Sequence, residues 1–139
     1  MDQPTVHLSL PVADLDEACA FYEAVFGCRV GRRRQDWCDV WFFGMQLTLQ
    51  LRPEEVIAPE QQGVRHFGVV LPDAQTWAEV VERATAFGSR WLSAPTRRDD
   101  PDLSGKLGGK LADPSGNVVE VKYYADPVAL RSVDRTDTP

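Results

Sequence analysis

The run Asp113-Pro114-Ser115-Gly116-Asn117-Val118-Val119-Glu120-Val121-Lys122-Tyr123-Tyr124 governs how the whole chain is read. Its first five residues are turn chemistry. Pro114 fixes φ near the value that a second turn position needs, and Gly116 and Asn117 tolerate positive φ. A strand-forming run follows at once, with Val118, Val119, Val121, Tyr123 and Tyr124. One carboxylate, Glu120, stands inside it between two valines. A carboxylate at mid-strand is costly unless it has a partner. The partner expected here is a metal ion shared with the only two histidines of the sequence, His7 and His66.

Working outward, the same pattern occurs twice. Residues 5–12 read as a strand in which Val6, Leu8 and Leu10 point one way and His7 and Ser9 the other. Asp14, with Glu17 three residues on, opens a helix whose apolar face is Leu15, Ala18, Cys19, Tyr22, Val25 and Phe26; Gly27 stops it. Three strand-like runs come next: a basic, exposed one from Cys28, an aromatic one over 36–43, and 45–51 after a tight turn at Gly44. In the last, Gln46, Thr48 and Gln50 alternate with apolar residues and share one face. The polar stretch that follows, about 52–63, reads as a linker. A strand over 64–71 then holds His66, and Asp73 caps a helix with Trp77, Val80, Val81, Ala84 and Phe87 on its apolar face, stopped by Gly88. Strands at 91–96, up to Asp113, and 118–124 complete the second half. The region 97–109 reads as a polar loop with a lid role open to it, its hinges at Gly105, Gly108 and Gly109 and its charge from Arg97, Arg98 and Lys106. The tail, 125–139, is expected to fray.

The halves correspond. Leu10-Pro11 matches Leu71-Pro72 and Phe26-Gly27 matches Phe87-Gly88, each shifted by 61 residues (71 − 10 and 87 − 26). His7 lies four residues before Pro11 and His66 six before Pro72. Both separations are even, so each histidine takes the same face of its strand. The expectation is one α+β domain with module 1 over about 5–51 and module 2 over about 64–124.

Composition narrows the partners. A chain of 139 residues, 43% hydrophobic and 26% charged, can fill a core and reads as an ordinary globule. A net charge of −6 argues against nucleic acid or an anionic membrane as partner, while a local basic pocket stays compatible with it. No apolar run approaches a membrane span. The start, Met-Asp-Gln-Pro, has no basic region of a signal peptide, so a cytoplasmic location is expected. Cys19, Cys28 and Cys38 are odd in number and lack C-x-x-C spacing; they read as buried thiols.

Two imidazoles and a carboxylate suit iron, zinc, manganese, nickel or cobalt, and leave coordination positions open as a catalytic site requires. Gln50, or less well Thr48, could add a fourth ligand. A single strand histidine is more often a hydrogen-bonded structural residue. The joint placement of two in equivalent strands, with Glu120 in the final strand, favours the metal triad.

These features together resemble the vicinal oxygen chelate superfamily of glyoxalases, bleomycin-binding proteins, fosfomycin-resistance enzymes and extradiol dioxygenases. The carrying residues are His7, Pro11-Val12-x-Asp14-Leu15, Phe21-Tyr22-x-x-Val25-Phe26-Gly27, His66, and Asp113-Pro114-x-Gly116-Asn117-x-x-Glu120. The likeness covers residues 5–124. A closer likeness, to small bacterial members, lies in Trp37-x-Asp39-x-x-Phe42-Phe43-Gly44 and His66–Leu71; such members often carry a histidine at the place of Gln50. The resemblance implies paired βαβββ modules forming an open half-barrel cleft around a metal, a small-molecule substrate that chelates it through neighbouring oxygens, and a homodimer.

The resemblance leaves the reaction open. Isomerase or lyase chemistry needs the triad and a proton carrier, for which Glu120 is the candidate catalytic residue. A lactoylglutathione lyase would want a further carboxylate where Gln46, Thr48 and Gln50 stand. A dioxygenase would use Fe(II) in the facial triad, but its acid–base histidine has no counterpart. Thiol transfer would engage Ser9, yet the run after Tyr124 lacks the basic residue that class uses. Ser9, Trp41, Arg97 and Lys110 are candidate substrate contacts. The alternative is a metal-free protein that sequesters a ligand in a groove lined by Trp37, Trp41, Phe43 and Trp91.

Overall fold

Asp14 and Asp73 start the two helices in the same way. Each carboxylate accepts the backbone N–H three residues ahead, from Glu17 at 2.8 Å and from Thr76 at 2.7 Å, so each removes one of the orphan donors of a helix start. Gly27 and Gly88 end those helices at φ 67° and 83°, a left-handed conformation that costs glycine least. Between these signals run α1 (Leu15–Phe26) and α2 (Ala74–Phe87). The computed structural model describes residues 2–96 and 105–131.

The first module is β1 (His7–Val12), α1, β2 (Arg29–Arg33), β3 (Trp37–Phe42) and β4 (Met45–Leu51). Its sheet runs β1-β4-β3-β2, with β1 parallel to β4 and the other pairs antiparallel. Phe43 and Gly44 turn β3 into β4, both at positive φ, as a two-residue hairpin demands. The second module is β5 (Phe67–Val70), α2, β6 (Arg90–Ser93), β7 (Lys106–Leu107), β8 (Lys110–Ala112) and β9 (Val118–Tyr124). Its sheet runs β5-β9-β8-β6, with β7 also on β9. The order repeats that of the first sheet: the module's opening strand lies parallel to its closing strand. The chain is therefore an α+β fold of two βαβββ modules.

Five sequence expectations shift. The strand expected over 64–71 begins at Phe67, where pairing to Val119 starts, so His66 stands just outside it. The strand expected at 91–96 is shorter and one residue earlier, Arg90–Ser93. Part of the expected polar loop is strand, since Lys106 and Leu107 pair with Tyr124 and Tyr123. Gly108 and Gly109 are not free hinges: their carbonyls accept from Thr96 N and Val121 N at 2.8 and 2.9 Å. Arg97 and Arg98 lie outside the described residues. The tail carries a short helix, α3 (Pro127–Arg131), rather than fraying from Asp126.

The core lies between helices and sheets. Phe21, Tyr22, Val25, Val40, Leu47 and Leu49 fill it from the first module, and Trp77, Val80, Leu111, Val119 and Val121 from the second. Fully burying each such side chain is worth about 1.5–3 kcal/mol. The helices pack on one another, with the Phe21 and Phe87 rings edge to face at 5.6 Å. The alternation that buries these residues turns His7, Ser9, Gln46 and Thr48 to the opposite face of the first sheet, and Glu120 and Lys122 to that of the second.

Candidate metal centre

His66 and Glu120 meet. His66 Nε2 lies 3.7 Å from Glu120 Oε1. The other ring nitrogen, Nδ1, is 2.6 Å from the Val64 carbonyl. A carbonyl only accepts, so Nδ1 carries a proton, and in the neutral ring the lone pair then lies on Nε2, the nitrogen that would ligate a metal. His7 is held in the same way: its Nδ1 donates to the Gln46 carbonyl at 3.1 Å, which again directs the lone pair of the neutral ring to Nε2. The donor chemistry thus fits a divalent ion.

The placement within one chain does not gather all three. His7 sits on β1 at the edge of the first sheet, among Ser9 and Gln50: Ser9 Oγ is 3.5 Å from His7 Nε2, and Gln50 Nε2 donates to Ser9 Oγ at 3.2 Å. His66 and Glu120 belong to the second sheet. Among the described residues no three of the His, Cys, Asp and Glu side chains come together as a metal cage.

Glu120 has two partners that sequence reasoning did not assign to it. Lys122 Nζ stands 2.9 Å from Oε1, and Lys110 Nζ stands 3.9 Å from Oε2. Both follow from strand geometry: Lys122 is two residues on along β9, and Lys110 is the register partner of Glu120 on β8. Burial pushes the Glu120 carboxyl up, but the Lys122 hydrogen bond and the charges of Lys122, His66 and Lys110 outweigh it and hold the carboxyl below its usual range. Lys122 is held above its usual range, chiefly by its hydrogen bond to Glu120. Gly68 pairs with Glu120 across the sheet, and a Cβ there would run into the Glu120 carbonyl. The close approach of β5 to β9 depends on that glycine.

Sequence reasoning also assigned no role to Asp39. It lies on the His7 face, 1% exposed, and accepts from Thr48 Oγ1 at 2.7 Å, Arg32 Nε at 3.0 Å and Gln46 Nε2 at 3.3 Å. Burial raises its carboxyl, and these bonds more than offset that, so it stays below the usual range. Trp41 pairs with Gln46 on the same sheet, and the Arg32 and Arg34 guanidinium groups lie 5.2 and 5.8 Å from the Trp37 ring. Thr48 is committed to Asp39, which leaves Gln50 the better-placed oxygen beside His7.

His66, Gly68, Glu120 and Lys122 border a hollow of about 250 Å³. A larger one, about 500 Å³, lies between the start of α1, the linker and the end of α2. It contains none of the candidate ligands.

The family model for the glyoxalase/bleomycin resistance protein/dioxygenase superfamily matches residues 5–121. The chain belongs to that superfamily. A further superfamily relative, an uncharacterised protein of Pseudomonas aeruginosa, is 35% identical over 136 residues, covering 88% of this chain and 90% of its own. A glyoxalase/bleomycin resistance protein/dioxygenase from Alicyclobacillus acidocaldarius has a similar structure: 32% identity, TM-score 0.74, 88% of this chain and 92% of that one. A fosfomycin resistance protein from Listeria monocytogenes shares the fold at 16% identity and TM-score 0.71, over 88% and 94% of the two chains. In superfamily terms the described residues carry the paired modules intact. No helix among them is long and apolar enough to cross a membrane.

Proposed function

We propose that this chain is a metal-dependent enzyme of the vicinal oxygen chelate type, acting on a small substrate that offers neighbouring oxygens to a divalent ion. His66 and Glu120 of one copy and His7 of a second copy would hold the ion, which is iron, zinc, manganese, nickel or cobalt, with Gln50 beside His7 as a further oxygen ligand. The observation that carries this reading is the shared state of the histidines. Each gives Nδ1–H to a carbonyl, which leaves Nε2 as the nitrogen that would ligate, and one of them faces Glu120 at 3.7 Å. Bound there, the ion would supply Lewis acidity for isomerase or lyase chemistry, or the redox chemistry of iron for a dioxygenase.

The chain's own residues prepare that site. Val64 and Gln46 orient the imidazoles, and Lys122 keeps Glu120 ionised, ready to ligate or to accept a proton. A second copy is supported by the edges: β1 and β5 each end a sheet, and Val6 and Val64 beside them are 66% and 89% exposed. An open edge with apolar neighbours is a pairing surface. The working form is accordingly a homodimer.

A second reading has its own support. Lys122 already neutralises Glu120 at 2.9 Å, and Trp37 and Trp41 line the His7 sheet, as a metal-free, ligand-sequestering protein would allow. Elemental analysis of protein purified without chelators separates the two. About one equivalent of a transition metal, lost in both His7→Ala and His66→Ala, supports the enzyme. Metal-free protein that takes up none on titration supports sequestration.

A further inference from the structure

The hollow of about 500 Å³ between the start of α1, the linker and the end of α2 has chemistry of its own. Its size is that of a small-molecule site, and it shares no lining residue with the hollow at Glu120. One side is aromatic: Phe21 is buried, and the Phe87 ring set against it is 39% exposed. Ile57, 45% exposed, faces the same space from the linker. The charged groups of the lining are matched except for one. Arg90 is paired with Glu60. Asp113 accepts from Tyr22, Ser115 and Asn117. Glu17 is exposed, and its carboxylate enters no ion pair among the described residues; only its backbone N–H is engaged, with Asp14. Ser89, also in the lining, carries the one buried side-chain oxygen among the described residues that has no hydrogen-bond partner. A buried bond left unmade is costly.

We propose that this hollow binds a small aromatic amine, with its ring against Phe87 and Ile57 and its ammonium group paired with Glu17. The inference is independent of the metal reading above. A ring seated there takes exposed apolar surface out of water and meets Phe87 in the offset or edge-to-face contacts that aromatic pairs favour. The ammonium carries three donors. One serves Glu17, and a second serves Ser89 Oγ, which turns toward the hollow by rotation about its Cα–Cβ bond. Other ligand types satisfy less of the lining. An anion meets the Glu17 carboxylate, and Arg90, already spent on Glu60, offers it no free charge. A neutral ring gains the apolar contact and leaves Glu17 unmatched. An aliphatic amine matches Glu17 and gains no ring contact.

The test is titration of the ¹⁵N-labelled full chain with benzylamine, benzyl alcohol, phenylacetate and butylamine, followed by amide chemical shifts. Benzylamine should give saturable shifts confined to the start of α1, residues 56–59, 87–90 and 112–116. It should bind roughly 2- to 5-fold more tightly than benzyl alcohol, the range of an ion pair at a solvent-exposed rim, and more tightly than butylamine, with phenylacetate weakest. Glu17→Gln, which keeps the backbone bond to Asp14, should bring benzylamine level with benzyl alcohol. Ser89→Ala should weaken benzylamine without lowering the melting temperature of the free protein, and circular dichroism checks that both variants fold. Shifts that do not saturate, or that map to other residues, overturn the site. Phenylacetate or benzyl alcohol binding as tightly as benzylamine, or an unchanged affinity in Glu17→Gln, overturns the amine assignment. Butylamine binding as tightly as benzylamine overturns the aromatic part. A lower melting temperature in Ser89→Ala shows that its hydroxyl already has a partner and overturns its role.

Discussion

Tyr22 gives its hydroxyl to Asp113 Oδ2 at 2.8 Å, wholly inside the protein and across 91 residues of sequence. The bond joins the first helix to the turn before the last strand. The same turn reaches the β1–α1 corner twice more: Ala13 N–H donates to Ser115 Oγ and Asn117 Nδ2 to the Pro11 carbonyl, both at 2.9 Å. Asp113 also accepts from the Ser115 and Asn117 backbone and from Asn117 Nδ2. Burial raises its carboxyl, and these donors recover only part of that, so it titrates above its usual range.

Tyr22→Phe removes one donor to the ionised carboxylate and raises that carboxyl further. A carboxyl elevated on folding favours the fold most below its unfolded value, about 4, and that contribution is lost as pH rises through the folded value. The variant should lose about 1–3 kcal/mol at pH 7 and less at pH 4. Urea unfolding at the two pH values measures both, and an equal loss at each would refute the linkage.

Asp39 behaves in the opposite sense. Its folded carboxyl lies low, so the stability it confers is present above about pH 4 and is lost as pH falls through the folded value. Asp39→Asn should cost about 1–3 kcal/mol at pH 7 and flatten the acid limb of a plot of stability against pH.

Gly68→Ala tests the approach of β5 to β9. The added methyl has backbone, the Glu120 carbonyl, in its way, so the strands must part. The expected loss is about 1–3 kcal/mol or more in chemical unfolding, with metal uptake reduced alongside it.

The thiols should be inert. Cys19, Cys28 and Cys38 are buried, and burial pushes Cys19 and Cys28 up to about 12. A chromogenic disulfide reagent should find almost no reactive thiol in native protein and three after unfolding in denaturant.

Mixing subunits tests where His7 acts. His7→Ala and Glu120→Gln proteins should each lack metal, while refolding them together should restore part of it, since some mixed dimers contain one intact site. If a monomer binds the ion with His7, His66 and Glu120 of its own, the mixture stays empty.

The repeat was legible because its punctuation is local. Asp14, Gly27, Asp73 and Gly88 act on the nearest turn of helix, whatever the rest of the chain does. Glu120 was legible as a residue in need of a partner, and the structure places His66 Nε2 3.7 Å from it, while His7 stands on the other sheet. Lys122 and Lys110 were missed as partners of Glu120, although strand alternation put Lys122 on its face; the place of Lys110, read only as a candidate substrate contact, required the register between β8 and β9, which no single strand encodes. Asp39 was missed for the same reason, since Thr48, Gln46 and Arg32 reach it from neighbouring strands. The partial strand at Lys106–Leu107 was hidden by the glycines beside it, which read as a loop until their carbonyls found donors.

The two histidines are anchored by unequal means. His7 leans on a carbonyl of the adjacent strand, 39 residues away, while His66 leans on one only two residues back in its own segment. The first contact is set by the register of β1 against β4; the second is set within residues 64–66. Sequence drift around residues 64–66 can therefore re-aim one imidazole while the other stays put, so the two halves of the scaffold can diverge at one histidine without disturbing its counterpart.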